Sequence, residues 1–396
     1  MKFATRAIHA GYERDPATHA VMPPVYQTSI FSYDRLGDEQ PYSYSRSANP
    51  TRAALEANVA ALEGMQYGLA FGSGMAAIDA VLRAMLVAGD EVIALADCYG
   101  GAYRLLTRIY APAGVTVTFL DLTTHPEQLE DAIGERTRLV WLEAPGSVSM
   151  EFPDLCEQVR ICRARGVTTA LDNTWGAGLA FAPFDLTGDG SLGVDISAHA
   201  LTKYPSGGGD VLMGSVITRD QGLHMKIKLT HMRLGLGVGA NDAEAILRAL
   251  PSIGLRYRAH DEAARQLARW LQQQPAIAQV LHPALEGAPG HAHWKALCGA
   301  AEGGQGAAAG LFSVMIDARY TQQQVDVFCD SLRLFKLGYS WGGPMSLVVP
   351  YTIASMRSRP SPHLKPGTLV RFSIGLEAVE DLRRDLQQAM ERAFPV

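Results

Sequence analysis

Cysteine is scarce in this chain, and charge is neither abundant nor one-sided. Five cysteines occur, Cys98, Cys156, Cys162, Cys298 and Cys329. Their number is odd and no two stand at the CxxC spacing that suits zinc or thiol–disulfide exchange, so they read as free, mostly buried thiols in a reducing cytoplasm. Lys and Arg number 35 against 40 Asp and Glu, a formal net charge of -5. A basic field able to neutralise a nucleic-acid backbone is therefore missing. No run of about 18 apolar residues occurs. The opening MKFATRAIHAGYERD meets charge before an apolar stretch of signal-peptide length. Neither nucleic acid nor membrane is expected as a partner, and the expected location is cytoplasmic. Low complexity is confined to GAAEGGQGAAAG at 299–310, read as a loop.

What is present fits an enzyme-sized globular chain. Of 396 residues, 47% are hydrophobic and 19% charged, which rules out disorder as the main state. At roughly 150 residues per domain the length suggests two or three packed units.

Residues 1–48 carry Pro23, Pro24 and Pro41 without sustained periodicity and read as an extended arm contacting a neighbouring subunit. Asn49-Pro50 starts a helix with Leu55, Val59 and Leu62 on one face, ending near Gly64. A second helix is expected from Gly74 to a stop at Gly89. Then EVIALA (91–96), VTVTFL (115–120), RLVWLE (138–143) and VTTALD (167–172) alternate with helical patterns near 101–110 and 153–165. This alternation predicts an α/β fold with a mainly parallel sheet and active residues at its C-terminal edge, where Asp97, Glu143 and Asp172 fall. A long helical stretch from about 242 leads to a smaller C-terminal α/β domain with LFSVMI (311–316), a helix near 321–333, LVRFSI (369–374) and a terminal helix near 377–393. The reading gives a domain over 49–245 and another over 246–396.

Two segments bear chemistry. AFGSGMAA (70–77) is a glycine turn opening a helix, a shape that presents backbone N–H groups and the positive dipole end to a phosphate. With Asp97 beyond it, the turn also imitates a dinucleotide fingerprint. LDNTWGAG (171–178) and DISAHALTKYPSGGGD (195–210) place a strand-end carboxylate 31 positions before a lysine, Lys203, set among small residues. Pyridoxal phosphate needs a lysine, a carboxylate facing its ring nitrogen and a phosphate cradle; the cradle, Asp172 and Lys203 occur in that order. Taken singly, Asp172 fits equally well as the cap of a turn. Arg371 shares its strand face with Ser373, opposite Val370, Phe372 and Ile374, which suits solvent as well as a ligand.

PVYQTSIF (24–31), YSRSANPTR (44–52), GSGMAA, DCYGGAY (97–103), DNTW with TKY, YSWGG (339–343) and GTLVRFSIGLE (367–377) together resemble the cystathionine-metabolising family of pyridoxal-phosphate enzymes, of the aspartate-aminotransferase fold type I. The resemblance covers nearly the whole chain. It implies a large domain with a seven-stranded-type sheet and pyridoxal 5'-phosphate as cofactor. It further implies that Gly74, Met75 and Thr202 bind the phosphate, joined by Tyr44 and Arg46 from a neighbouring subunit. By the same resemblance Tyr99 stacks on the ring, Asp172 pairs with its nitrogen, Lys203 binds the cofactor covalently and Arg371 holds the substrate α-carboxylate. EAPGSVSME (143–151) and YSWGG resemble the cystathionine β-lyases most closely, with Ser340 and Trp341 beside Lys203, whereas γ-lyases and γ-synthases tend to carry glutamate where Tyr339 stands. The implied activity is β-elimination of L-cystathionine in methionine biosynthesis by a homotetramer built from active-site-sharing dimers. The alternative is γ-elimination or γ-replacement on the same scaffold. Ala48, Ala200, Gly208-Gly209 and Pro344-Met345 depart from the family's usual residues. No metal is expected, because His291 and His293 lack a third ligand at a suitable spacing.

Overall fold

Asn49 opens the first long helix through its side chain, which accepts the backbone N–H groups of Thr51 (3.0 Å) and Arg52 (3.3 Å), with Pro50 at the first helical position. The structure, a computed structural model, describes residues 1–121, 127–300, 305–353 and 362–394. Its α-helices begin, in chain order, with α1 (Phe3–His9), α2 (Pro50–Leu62), α3 (Gly74–Met85), α4 (Gly100–Leu105), α5 (Gln128–Ala132), α6 (Leu155–Ala164) and α7 (Gln221–Leu234). Then follow α8 (Ala240–Ala249), α9 (Ile253–Leu271), α10 (His291–Cys298), α11 (Gln322–Ser331) and α12 (Val379–Ala393).

Seven strands, β1 (Tyr67–Phe71), β2 (Glu91–Leu95), β3 (Thr116–Leu120), β4 (Thr137–Glu143), β5 (Thr168–Asp172), β6 (Ile196–His199) and β7 (Gly214–Thr218), form one sheet in the order β1-β7-β6-β5-β4-β2-β3. The four pairings from β6 to β3 are parallel, and β7 runs against both its neighbours. Central strands are apolar along nearly their whole length, as burial on both faces requires; Leu139, Val140, Trp141 and Leu142 are all buried.

The second sheet comprises β8 (Ile277–Leu281), β9 (Leu311–Asp317), β10 (Lys336–Leu337), β11 (Leu347–Tyr351) and β12 (Gly367–Ser373), ordered β10-β11-β12-β9-β8 and mostly antiparallel. The expected α/β class, the mainly parallel seven-stranded sheet and the smaller second sheet are all present.

Two local expectations need correction. Residues 3–9 are helical, and Asn58 Nδ2 donates to the carbonyls of Ala7 (3.2 Å) and Ala10 (2.8 Å), which docks α1 on α2. Seven residues with only Ala7 buried are too few to display a period. The second helix stops at Met85, not Gly89: Leu86 is already extended, and the Asp90 carboxylate accepts from Val87 N–H (2.9 Å) to form the turn. Residue 245 lies inside α8, which packs on α2. Part of the glycine-rich loop, 301–304, lies outside the described residues.

Candidate active site

A cavity of about 400 Å³ opens at the C-terminal edge of the parallel strands and is walled on the far side by the second sheet. That edge is where ligands gather in open α/β sheets.

The N-terminus of α3 forms one end. Ser73 caps it, its hydroxyl accepting from Ala76 N–H at 3.0 Å. Gly74 and Met75 line the cavity with first-turn N–H groups that have no intrahelical acceptor. A Cβ on Gly74 would stand 2.8 Å from that of Ala200, so the approach tolerates no side chain. Thr202 lies beside it, its hydroxyl donating to Met213 C=O (3.2 Å) and accepting from Met213 N–H (3.0 Å).

Asp172, at the end of β5, accepts from Thr174 N–H at 3.0 Å. Burial pushes its carboxyl up, while Thr174 and Lys203 oppose the rise. Asn173 then donates to Glu63 Oε1 at 2.9 Å. Glu63 is itself buried, and desolvation pushes it up to about 7.

Lys203 follows β6 in a turn closed by its N–H to Ala200 C=O (3.0 Å). Its ammonium donates to Ser340 Oγ at 2.9 Å and sits 4.5 Å from the Trp341 ring centre. Desolvation, with the Arg371 charge adding to it and Asp172 opposing it, lowers the amine to about 8.

Arg371 is buried in β12 between β9 and β11. It donates to Ser147 C=O and Tyr339 C=O, both at 2.9 Å, and lies against the rings of Tyr351 (5.2 Å) and Trp341 (5.3 Å). Of the two faces the sequence left open, it therefore takes the cavity side. Tyr99 precedes α4 and lines the opposite wall with Arg104; its phenol is pushed up by burial and by Asp172.

Tyr44 and Arg46 are not brought to this chain's own cavity. Tyr44 is exposed and bridges Ile30, and Arg46 donates to Met232 C=O at 2.9 Å. His291 Nδ1 donates to Pro283 C=O (2.9 Å), and His293 lies 3.5 Å from Asp154.

Sequence reading passed over Arg104 and Tyr351, which line the cavity together with His199. Arg104 carried a signal, since it lies in the helix that Tyr99 begins. His199, which the sequence offers as a residue that could compensate for Ala200 at the phosphate cradle, is buried and held neutral, lowered to about 3 by desolvation. Tyr351 gave no signal, because its contact with Arg371 crosses a strand pair that had not been foreseen.

A lysine amine lowered by burial, a buried carboxylate and a helix N-terminus converge on one cavity. The family described as Cys/Met metabolism PLP-dependent enzyme matches residues 4–391. The chain is 35% identical to a cystathionine gamma-lyase of Bacillus subtilis, covering 99% of this chain and 100% of the relative. It is 34% identical to a cystathionine beta-lyase of Lactococcus lactis, over 98% of each. The structure of a cystathionine gamma synthase from Xanthomonas oryzae superposes with a TM-score of 0.88 at 33% identity, covering 99% of this chain and 98% of that one. The chain belongs to the Cys/Met metabolism PLP-dependent enzymes, a family of carbon–sulfur lyases and synthases whose cofactor is pyridoxal phosphate. The residues present fit that cofactor: Lys203 carries an amine lowered to about 8, Asp172 is a buried carboxylate, and the N-terminus of α3 reaches the cavity at Gly74, where no side chain stands in the way.

Proposed function

We propose that this protein catalyses β-elimination of L-cystathionine, giving homocysteine, pyruvate and ammonia. The observation that carries the reading is the cap on Lys203. Ser340 and Trp341 flank its amine, and the residue before them, Tyr339, is an exposed tyrosine where the γ-acting relatives tend to carry an acid.

Gly74, Met75 and Thr202 would hold the cofactor phosphate, Lys203 would bind the cofactor covalently, Asp172 would pair with its ring nitrogen and Tyr99 would stack on the ring. Bound pyridoxal phosphate supplies an electron-withdrawing ring that makes the substrate Cα–H acidic. Arg371 receives the α-carboxylate, for which a planar guanidinium is suited. Its backbone tethers fix its plane. Lys203, neutral after release, takes the Cα proton and returns a proton to the leaving sulfur as the Cβ–S bond breaks; positioned transfer of this kind contributes about 10²–10⁴-fold. Ser340 steers the amine between these two positions. Water then converts the released 2-aminoacrylate to pyruvate and ammonia. Tyr99, its phenol pushed up and so protonated, serves as a ring contact and hydrogen-bond donor in this scheme.

Tyr44 and Arg46 would complete the phosphate site of a neighbouring subunit. Exposed apolar residues along the arm, Val21, Met22, Ile30 and Leu36, favour such burial. The assembly we propose is a homotetramer built from two dimers, each sharing its active sites, working in methionine biosynthesis. Free thiols at all five cysteines suit the cytoplasm.

Names of relatives favour a second reading, γ-elimination or γ-replacement, since γ-acting enzymes stand at the same identity. Incubating the holoenzyme with L-cystathionine and measuring both keto acids decides between them. Pyruvate is expected; predominant 2-oxobutyrate would move the activity to γ-elimination.

A further inference from the structure

Three acids lie at the C-terminal ends of neighbouring strands, and two of them, Glu143 and Asp172, line the cavity. Asp97 follows β2, Glu143 ends β4 and Asp172 ends β5, and Glu143 and Asp172 are directly paired across β4 and β5. Their surroundings differ. Asp172 has the Thr174 N–H and, as cation, Lys203. Glu143 is buried, and the charged groups acting on it are Asp172 and Asp97, both acidic, with the Cys98 thiol also close. Two carboxylates in one buried site cannot both ionise cheaply, and the one without a cation keeps the proton.

Glu143 also has a mechanical task. Its Oε1 accepts the Tyr99 N–H at 2.6 Å. Tyr99 is the residue before α4 and has no side-chain cap there, so this bond fixes the point from which the Tyr99 ring projects. The phenol itself faces Arg104, Arg371 and Asp172.

We propose that Glu143 is a positioning residue, tying the Tyr99 backbone to the end of β4 and carrying the proton that leaves Asp172 as the anion the cofactor ring meets. This rests on the proposed contacts of that ring with Tyr99 and Asp172, and is independent of whether β- or γ-elimination follows. Burial and the Asp172 charge both push Glu143 well above the usual carboxylate range, in the direction this assignment needs.

The test uses holoenzyme without substrate, followed by visible absorbance against pH and by circular dichroism of the bound cofactor. Glu143→Gln keeps an acceptor for Tyr99 N–H and removes only the ability to ionise. It is expected to leave the absorbance midpoint and the dichroism unchanged. Glu143→Ala is expected to lose much of the cofactor dichroism and to lower kcat with little change in KM. A midpoint lowered by about 1 unit or more in Glu143→Gln, the size of a neighbouring charge, would show Glu143 ionised and overturn the proposal, as would unaltered dichroism in Glu143→Ala. Asp172→Asn is the reference and should alter the spectrum. If it does not, the ring placement itself fails; if it does while Glu143→Ala is silent, the proposal alone fails.

Discussion

The ammonium of Lys203 donates to the hydroxyl of Ser340 at 2.9 Å, although 137 positions separate the two in the chain. One belongs to the turn between β6 and β7 of the large sheet, the other to the segment between β10 and β11 of the second sheet, so the amine is held only when both halves are folded together.

Removing that hydroxyl is the most direct probe. A hydrogen bond to a charged group contributes about 1.5–3 kcal/mol, and Ser340→Ala should lower kcat by roughly tenfold or more while the cofactor stays bound. Lys203→Ala should abolish both turnover and the visible absorbance of the covalently held cofactor. Steady-state pyruvate assays and absorbance spectra of the two variants check this.

The lowered amine of Lys203 has a pH signature. Its neutral form attacks the cofactor aldehyde, so covalent uptake of pyridoxal phosphate by cofactor-free protein should accelerate as pH rises through about 8. Arg371→Gln removes a like charge, raises the amine and should move that midpoint to higher pH. Because burial is the larger cause, the amine should not recover its full ordinary value. Stopped-flow uptake rates at several pH values measure both.

Gly74 has room for hydrogen only. Gly74→Ala would drive a methyl against Ala200 at 2.8 Å, where neither partner is a flexible side chain. The α3 N-terminus must shift, and equilibrium dialysis should find pyridoxal phosphate bound about tenfold more weakly, a loss of about 1.4 kcal/mol.

Glu63 should make stability depend on pH. Its folded-state value, raised to about 7 by burial, exceeds the ordinary carboxylate value, so the folded protein binds more protons between the two. The stability this provides is fully present below about 4.5 and is lost as pH rises through about 7. Glu63→Gln should erase that loss, worth up to about 3 kcal/mol, leaving the variant comparatively more stable at pH 8 than at pH 5. Thermal unfolding midpoints across that range test it.

Long apolar runs and punctuated helices were legible because their signals are local. Asn49-Pro50, the glycine turn before α3 and the runs that became β2 to β5 each declare themselves within a few residues. β6 and β7 did not, since ISAH and GSVIT sit among glycines and small polar residues and owe their strand form to pairing with β5 and β1. Arg371 shows the same limit within one strand. Val370 and Phe372 pack in the core beside Phe328 and Phe335, and the alternation places Arg371 on the other face without saying what covers it. Glu143 was visible as a strand end; its contact with Tyr99 depends on the relative heights of two neighbouring strands, which no single segment encodes.

Arg371 already spends two N–H donors on the carbonyls of Ser147, from the loop after β4, and Tyr339, from the segment after β10. An arriving carboxylate must therefore share the guanidinium with the seam between the two sheets. Recognition of the substrate's acid end and the fit of one half of the molecule against the other become a single adjustment, so substitutions that loosen the seam far from the cofactor will register as weakened substrate binding.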